Sequence, residues 1–246
     1  LGLGLKCKIN KATGFSRKHY YYPDLPKGYQ ITQFNTPLCE SGYVSIDDSD
    51  IKQIGVTRAH LEEDAGKTIH SLEGHALIDF NRAGAPLVEV VSEPDIRNSS
   101  QALMYLSNLK QIIQYTGASD CDMEKGNLRV DLNISMRPSG QKEFGVRREV
   151  KNLNSFRSVE KAIAFEIECQ RDILESGGTI LQETLLWDEV NMSTHSIRSK
   201  EDAHDYRFFP EPDIPDLLLS DEVIEEVAEQ MCEMPYDVKK RIIKKY

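Results

Sequence analysis

The chain has 246 residues, enough for one large domain, or one domain and part of a second, around a real hydrophobic core. Apolar residues make up 39% and charged residues 28%, and no apolar run approaches the ~20 residues of a spanning helix, so no membrane span is expected. The net charge of −10 argues against a general nucleic-acid coat, which is usually basic, yet leaves room for a basic groove on an acidic body.

Cys7, Cys39, Cys121, Cys169 and Cys232 are scattered, and no CxxC pair occurs. Neither structural zinc nor a disulfide framework is expected, and a reducing compartment fits best. The opening LGLGLKCKIN lacks the layout of a signal peptide and reads as the middle of a domain.

The first informative stretch is RAHLEEDAGK, Arg58 to Lys67, which crowds Glu62, Glu63 and Asp64 between His60 and Lys67. Adjacent carboxylates repel unless a cation or hydrogen bonds offset them. A solvated acidic turn and a metal site both fit this pattern. PLVEVVSEPD then reads as a strand in which Glu89 interrupts Leu87, Val88, Val90 and Val91. A buried carboxylate there needs a cation, a donor or a proton.

SSQALMYLSNLKQIIQYTG places Leu103, Leu106, Leu109 and Ile113 at helical spacing, with Ser99 or Ser100 as N-cap and a stop at Gly117. LRVDLNISM alternates: Leu128, Val130, Leu132, Ile134 and Met136 share one face, and Arg129, Asp131, Asn133 and Ser135 the other. The turn cluster RPSGQKEFG predicts a hairpin into FGVRREVKN, with Arg147, Glu149 and Lys151 on one face. SFRSVEKAIAFEIECQRDILESGG predicts a second helix from Ser155, with Val159, Ile163, Ile167 and Leu174 as its stripe. Prolines punctuate FFPEPDIPDLLL, which places a domain boundary near residue 216. A weaker helix, capped near Ser220 or Asp221, follows. The predicted class is α+β, a largely antiparallel sheet with helices on one side.

Glu62, Glu63, Glu89, Asp131 and Glu149, presented from strands, would form an all-oxygen cage suited to Mg²⁺ or Mn²⁺. Arg129, Arg147 and Lys151 share polar faces with these acids, and cations beside metal-binding acids are what a triphosphate requires. No Walker loop and no strand-linked GxGxxG occurs, so any ATP would rest on the sheet through metals and side chains. Alone, Glu62–Glu63–Asp64 reads more readily as a solvated turn, and Asp131 or Glu149 as half of a surface ion pair. His60, His70 and His75 carry only a weak zinc pattern, and Tyr20, Tyr21 and Tyr22 read as strand packing before base stacking.

Six motifs occur in order: FSRKHYYYPDLPKGYQITQF, HLEEDAGKTIH, DFNRAGAPLVEVVSEPD, LRVDLNIS, EVKNLNSF and HDYRFFPEPDIP. Together they resemble the B subunit of the tRNA-dependent amidotransferases, the GatB/GatE family, across roughly residues 5 to 246. The resemblance implies a glutamine synthetase-like catalytic domain over 1–216 and the start of a helical domain over 217–246. It also implies ATP- and Mg²⁺-dependent amidation of Glu-tRNA(Gln) or Asp-tRNA(Asn). A glutaminase subunit would supply ammonia, and a small third subunit would join the two.

On that basis Glu63, Glu89, Asp131 and Glu149 are assigned as catalytic metal ligands, with Glu62 beside them. Arg129 and Lys151 are assigned to phosphate, and Asn81, Asn133 and Asn152 to orienting acids or substrate. Lys18 and His60 are placed toward the ammonia path or behind the metal ligands. The sequence starts after the family's EVHxxL-type strand and lacks its tail domain, so the isolated piece is expected to be inactive. A bacterial cytoplasm or an organelle matrix is expected. A ligase acting on a free acid and a non-catalytic tRNA-binding scaffold are the alternatives.

Overall fold

Fifteen strands and four helices are found over residues 1–70, 75–199 and 205–246, the part of the chain that this computed structural model describes. The fold is α+β, its sheets mostly antiparallel. Two compact units arise, and neither is a continuous stretch. The first comprises 1–45, 53–95 and 204–246; the second comprises 46–52 and 96–203. The boundary expected near residue 216 falls inside the first unit.

In the first unit a seven-stranded sheet contains β1 (Lys8–Ile9), β3 (Ser16–His19), β4 (Tyr29–Thr32), β5 (Cys39–Ser45), β6 (Gln53–Glu63), β9 (Pro86–Ser92) and β14 (Phe209–Pro210). Small two-stranded sheets pair β2 (Ala12–Thr13) with β15 (Leu217–Leu218), and β7 (Lys67–His70) with β8 (Ala76–Asp79). The long β6 is the spine: it pairs antiparallel with β9 along one edge, and with β5 and then β4 along the other. RAHLEEDAGK is therefore not an acidic turn; through Glu63 it is strand, because its alternating partners on β9 and β4 satisfy the backbone. Leu5, Val44, Ile54 and Val56 form the core beneath it.

The segment after residue 204 returns to this sheet. β14 pairs with β3, and Arg17 grips Glu211 with two hydrogen bonds, Nε to Oε2 at 2.7 Å and Nη2 to Oε1 at 3.1 Å. The Glu211 carboxylate sits below the usual glutamate range, chiefly because of the Arg17 bonds. α3 (Asp221–Gln230), capped by Ser220, and α4 (Pro235–Lys245) follow.

The second unit carries β10 (Val130–Ile134), β11 (Arg148–Leu153), β12 (Glu183–Asp188) and β13 (Ser193–Ser199), hydrogen-bonded in that order. β10 and β11 form the expected antiparallel pair, but both are shorter than the alternation suggests. Leu128, Met136 and Arg147 lie outside them, and a Cβ on Gly145 would strike the Met136 carbonyl, so that approach allows no side chain there. β11 and β12 run parallel, joined through α2 (Phe156–Glu175). That crossover is the usual way to connect parallel neighbours.

α2 is capped by Ser155 and packs on the sheet, burying Val159, Ala162 and Ile163 in the unit that also buries Val150, Leu185 and Trp187. α1 (Ser99–Tyr115) packs on α2. Its N-cap is Asn98, not Ser99 or Ser100: the Asn98 side-chain Oδ1 accepts the Gln101 backbone N–H at 2.9 Å.

The stripe of α2 is not wholly apolar. Glu166 and Gln170 are fully buried on it, where Ile167 is only half-buried. Glu166 accepts from Thr194 Oγ1 at 2.7 Å and Gln170 Nε2 at 3.2 Å, and faces Arg148 Nη1 at 3.7 Å. Arg148 Nη2 in turn meets Glu183 at 3.0 Å. This buried chain ties α2 to β11, β12 and β13. Glu166→Ala leaves Arg148 short of a buried partner, and urea unfolding is expected to show a loss of about 3 kcal/mol. A loss under about 1 kcal/mol would mean that the contact carries little energy.

Candidate functional site

Two clusters of ionisable side chains stand out, one in each unit. The first grows from the register of β6 and β9, which sets His60 opposite Glu89. Glu62 follows His60 by two residues and so lies on the same face of the strand. His60 Nε2 lies 3.2 Å from Glu62 Oε1 and 3.4 Å from Glu89 Oε2. One ligand atom from each of the three falls within 4.8 Å of the others. His60 is 1% exposed, while the Glu89 side chain is 44% exposed, so the cluster opens on the Glu89 side. Glu89 is thus half-exposed, and its partner is the His60 imidazole.

The surroundings hold Glu62 as an anion. Burial pushes its pKa up, but hydrogen bonds from His60 and from Thr32 Oγ1, the latter at 2.6 Å, together with the charge of Lys18, outweigh burial and lower it. Gln30 Nε2 adds a contact at 3.2 Å. The edge of Phe34 faces the His60 ring at 6.2 Å, and Arg58 caps the Phe34 face at 4.4 Å. His60 Nδ1 is buried without a hydrogen-bond partner.

Glu63 turns to the other side of β6. It pairs with Lys27 and accepts the Ile31 amide at 2.8 Å. Asp64 accepts from Arg82 Nε at 3.0 Å. Three consecutive acids therefore have three separate sets of partners. Lys18 Nζ sits 4.8 Å from the Tyr206 ring and 6.0 Å from the Tyr20 ring, and Tyr21 is exposed. Asn81 Nδ2 donates to Asp79 at 2.6 Å. The His70 side chain and His204 lie outside the described residues.

The second cluster depends on a bulge. Val130 opposes Leu153 and Leu132 opposes Val150, so Lys151 and Asn152 together face Asp131. Asn152 takes the left-handed conformation at φ 66°, which asparagine tolerates better than most residues, and Nδ2 donates to the Trp187 carbonyl at 3.0 Å. The bulge aims Lys151 Nζ at Asp131 Oδ2, 2.7 Å away, and at Glu149 Oε1, 3.1 Å away. Thr184 Oγ1 donates to the other Glu149 oxygen at 3.1 Å. Desolvation works to lower the Lys151 pKa, but Asp131 and Glu149 outweigh it and raise it. Arg129 and Asn133 take the positions one step before and one step after this part of β10.

The sequence-derived site residues thus divide. Glu62 and Glu89 meet with His60; Asp131 and Glu149 meet through Lys151; Glu63 meets Lys27. His60 at the centre of the first group, and the donors Thr32, Gln30 and Thr184, were not assigned to the cage from sequence. Only the H-x-E spacing of His60 and Glu62 signals such a group in advance.

Residues 1–225 match the family described as the GatB/GatE catalytic domain. The chain belongs to this family. Among GatB/GatE relatives, the B subunit of the aspartyl/glutamyl-tRNA(Asn/Gln) amidotransferase of Carboxydothermus hydrogenoformans is 52% identical over 99% of this chain, and that of Caldicellulosiruptor saccharolyticus is 53% identical over 100% of this chain. The corresponding protein of Coxiella burnetii is 52% identical over 100% of the chain. The chain spans about half the length of these curated GatB/GatE relatives, 52% in each case.

Two outcomes follow from this geometry. The folded Glu62 pKa is lowered, so the stability from its hydrogen bonds and the Lys18 charge is complete above the ordinary carboxylate value of ~4.3 and is lost as pH falls through the lower folded value. Carboxyl carbon-13 NMR is expected to find Glu62 still mostly ionised at pH ~4.3; a midpoint at or above that pH contradicts the bonding described. At the bulge, Asn152→Val is expected to cost at least ~1 kcal/mol more than Asn152→Gly, since both lose the bond to Trp187 but only valine opposes a left-handed backbone. Equal costs in urea unfolding would dissociate the bulge from its backbone conformation.

Proposed function

We propose that this chain is the catalytic portion of an ATP-dependent enzyme that amidates glutamate on tRNA(Gln), or aspartate on tRNA(Asn). A carboxylate oxygen of the aminoacyl side chain attacks the γ-phosphorus of ATP, and ADP leaves. Ammonia then attacks the carbonyl carbon, phosphate leaves, and the nitrogen gives up a proton. The first step is needed because an unactivated carboxylate would have to expel oxide. A partner glutaminase subunit supplies the ammonia, and a small third subunit completes the assembly.

The observation that carries this reading is the meeting of His60 Nε2, Glu62 and Glu89 within 4.8 Å. The donor set fits a divalent ion: two carboxylates suit Mg²⁺ or Mn²⁺, and one imidazole is compatible with Mn²⁺. It departs from the expected all-oxygen cage in that nitrogen and in leaving out Glu63, Asp131 and Glu149. When bound, such an ion neutralises charge as an anionic phosphate meets an anionic carboxylate.

Without an ion His60 Nε2 links Glu62 and Glu89; to ligate one it would give up these contacts, and Thr32 and Gln30 would still hold Glu62 from behind. Asp131 and Glu149 would hold a metal ion that accompanies the nucleotide, with Arg129, Lys151 and Asn133 toward its phosphates. Glu63 joins any ligand set only by giving up Lys27.

In the complete enzyme with its glutaminase subunit, Glu89→Gln and Glu149→Gln are each expected to cut ATP-dependent amidation at least 100-fold and leave glutamine hydrolysis largely intact. Retained amidation removes the residue concerned from the proposed chemistry. ATP hydrolysis that proceeds equally without mischarged tRNA would favour a ligase acting on a free acid.

A further inference from the structure

Three buried side-chain atoms of the first unit lack a hydrogen-bond partner among the described residues: Gln33 Nε2, Arg58 Nε and His60 Nδ1. They belong to one neighbourhood. Gln33 is next to Phe34 in the chain, and its Oε1 accepts the Leu61 N–H at 3.0 Å, one residue along β6 from His60. Arg58 lies on the Phe34 face at 4.4 Å, and the edge of that ring meets His60. Buried polar groups are normally satisfied, so three orphans at one strand junction need a cause. With Gln33 Oε1 engaged by an N–H, its Nε2 is the donor end, and Arg58 Nε is always a donor.

Arg58 also lacks a counter-charge. On β5 it stands in register with Glu40, but Glu40 accepts from Asn10 Nδ2 at 2.8 Å instead. On β9 it faces Val91. Among the described residues no carboxylate pairs with it, whereas Arg17 is committed to Glu211 and Asp213, Lys27 to Glu63 and Arg82 to Asp64. The pairing with β9 is regular from Arg58 to Glu62, so Arg58 shares the face of His60 and Glu62, about 7 Å along the strand from His60. A half-buried guanidinium, laid on an aromatic ring and without its anion, is a seat for a phosphate.

We propose that Arg58 receives the phosphoryl group that passes from ATP to the aminoacyl carboxylate. The inference rests on the reading above, that ATP activates this carboxylate. The paired N–H groups of the guanidinium take two non-bridging oxygens while the carboxylate oxygen bonds to the γ-phosphorus and the bond to ADP breaks. They keep those oxygens in the acyl phosphate. When ammonia attacks the carbonyl carbon, the C–O bond breaks toward phosphate, and the departing anion stays on Arg58. Phe34 holds the fork off the carboxylates of Glu62 and Glu89, so its charge is not neutralised there. The orphan N–H dipole of Gln33 favours negative charge at the same junction.

The test uses the complete enzyme with its glutaminase subunit. Without glutamine, transfer of label from γ-labelled ATP to mischarged tRNA reads the first step alone. Arg58→Ala is expected to slow that transfer roughly 100-fold, while glutamine hydrolysis and affinity for a non-hydrolysable ATP analogue change less than about threefold. Inorganic phosphate, followed by phosphorus NMR, should bind the wild type and lose roughly tenfold in affinity in Arg58→Ala. Ethylguanidinium added from solution should restore transfer by Arg58→Ala about tenfold, and ethylammonium far less; a residue needed only for packing on Phe34 shows no such preference. Arg58→Lys keeps the charge and the aliphatic stem, so it answers the question should the alanine variant melt early by circular dichroism. It is expected to slow transfer roughly tenfold, because an ammonium lacks the paired donors.

Wild-type transfer rates in either variant, no Arg58-dependent phosphate binding, or no preference for ethylguanidinium overturns the assignment and leaves the amidation reading standing. A wild-type enzyme that moves no phosphate to mischarged tRNA overturns the amidation reading instead. Phosphate affinity then decides the anion seat: dependence on Arg58 upholds it, and independence ends it.

Discussion

The antiparallel register of β6 on β9 is the constraint on which the first cluster depends. Side chains alternate along a strand with a period of two, and register fixes which residues of the neighbour they meet. His60 opposite Glu89 puts Glu62 on the same face and Glu63 on the other. A slip of one residue would exchange the two glutamates, and Lys27 would face the wrong one. Thr32, paired opposite Glu62 on β4, holds the carboxylate from the second edge. The first cluster is thus specified by three strands and not by the crowding of acids in sequence.

The second cluster is specified differently. Strict alternation would not set Lys151 against Asp131; the additional residue at the bulge does. Beneath it, the buried chain of Glu166, Arg148 and Glu183 fixes α2 against β11, β12 and β13. Arg148 points down into this network, while Glu149 and Lys151, its neighbours in sequence, present their charges on the other face. A charged core layer is costly unless its members satisfy each other, and here Thr194, Gln170 and Glu183 supply most of the partners. Rigidity under β11 is the return for that cost.

Much of this architecture was legible in the residues. Helical spacing located α1 and α2, Ser155 declared the cap of α2, Ser220 was one of two candidates for that of α3, alternation located β10 and β11, and an apolar run broken by Glu89 located β9. The acids Glu89, Asp131 and Glu149 were conspicuous because each broke or balanced an apolar pattern. What remained hidden was long-range. No local signal pairs Glu63 with Lys27, 36 positions away, and none places the buried Glu166 near Thr194. Asn98 went unread because two serines beside it were equally plausible caps. The bulge was hidden because Asn152 looks like any polar residue on an exposed face until its backbone angle is known.

The interleaving of the two units has a consequence for synthesis. Arg17 and Glu211 lie 194 positions apart, and β3 completes its pairing only with β14. As the ribosome delivers the chain from its amino end, β3 emerges long before its last neighbour. The whole of residues 96–203 must appear in between, a stretch able to begin its own collapse. The early sheet waits with an open edge, vulnerable to misassociation, until the closing segment arrives. Chaperone dependence during translation, more than fragility of the finished protein, is where this topology would be felt.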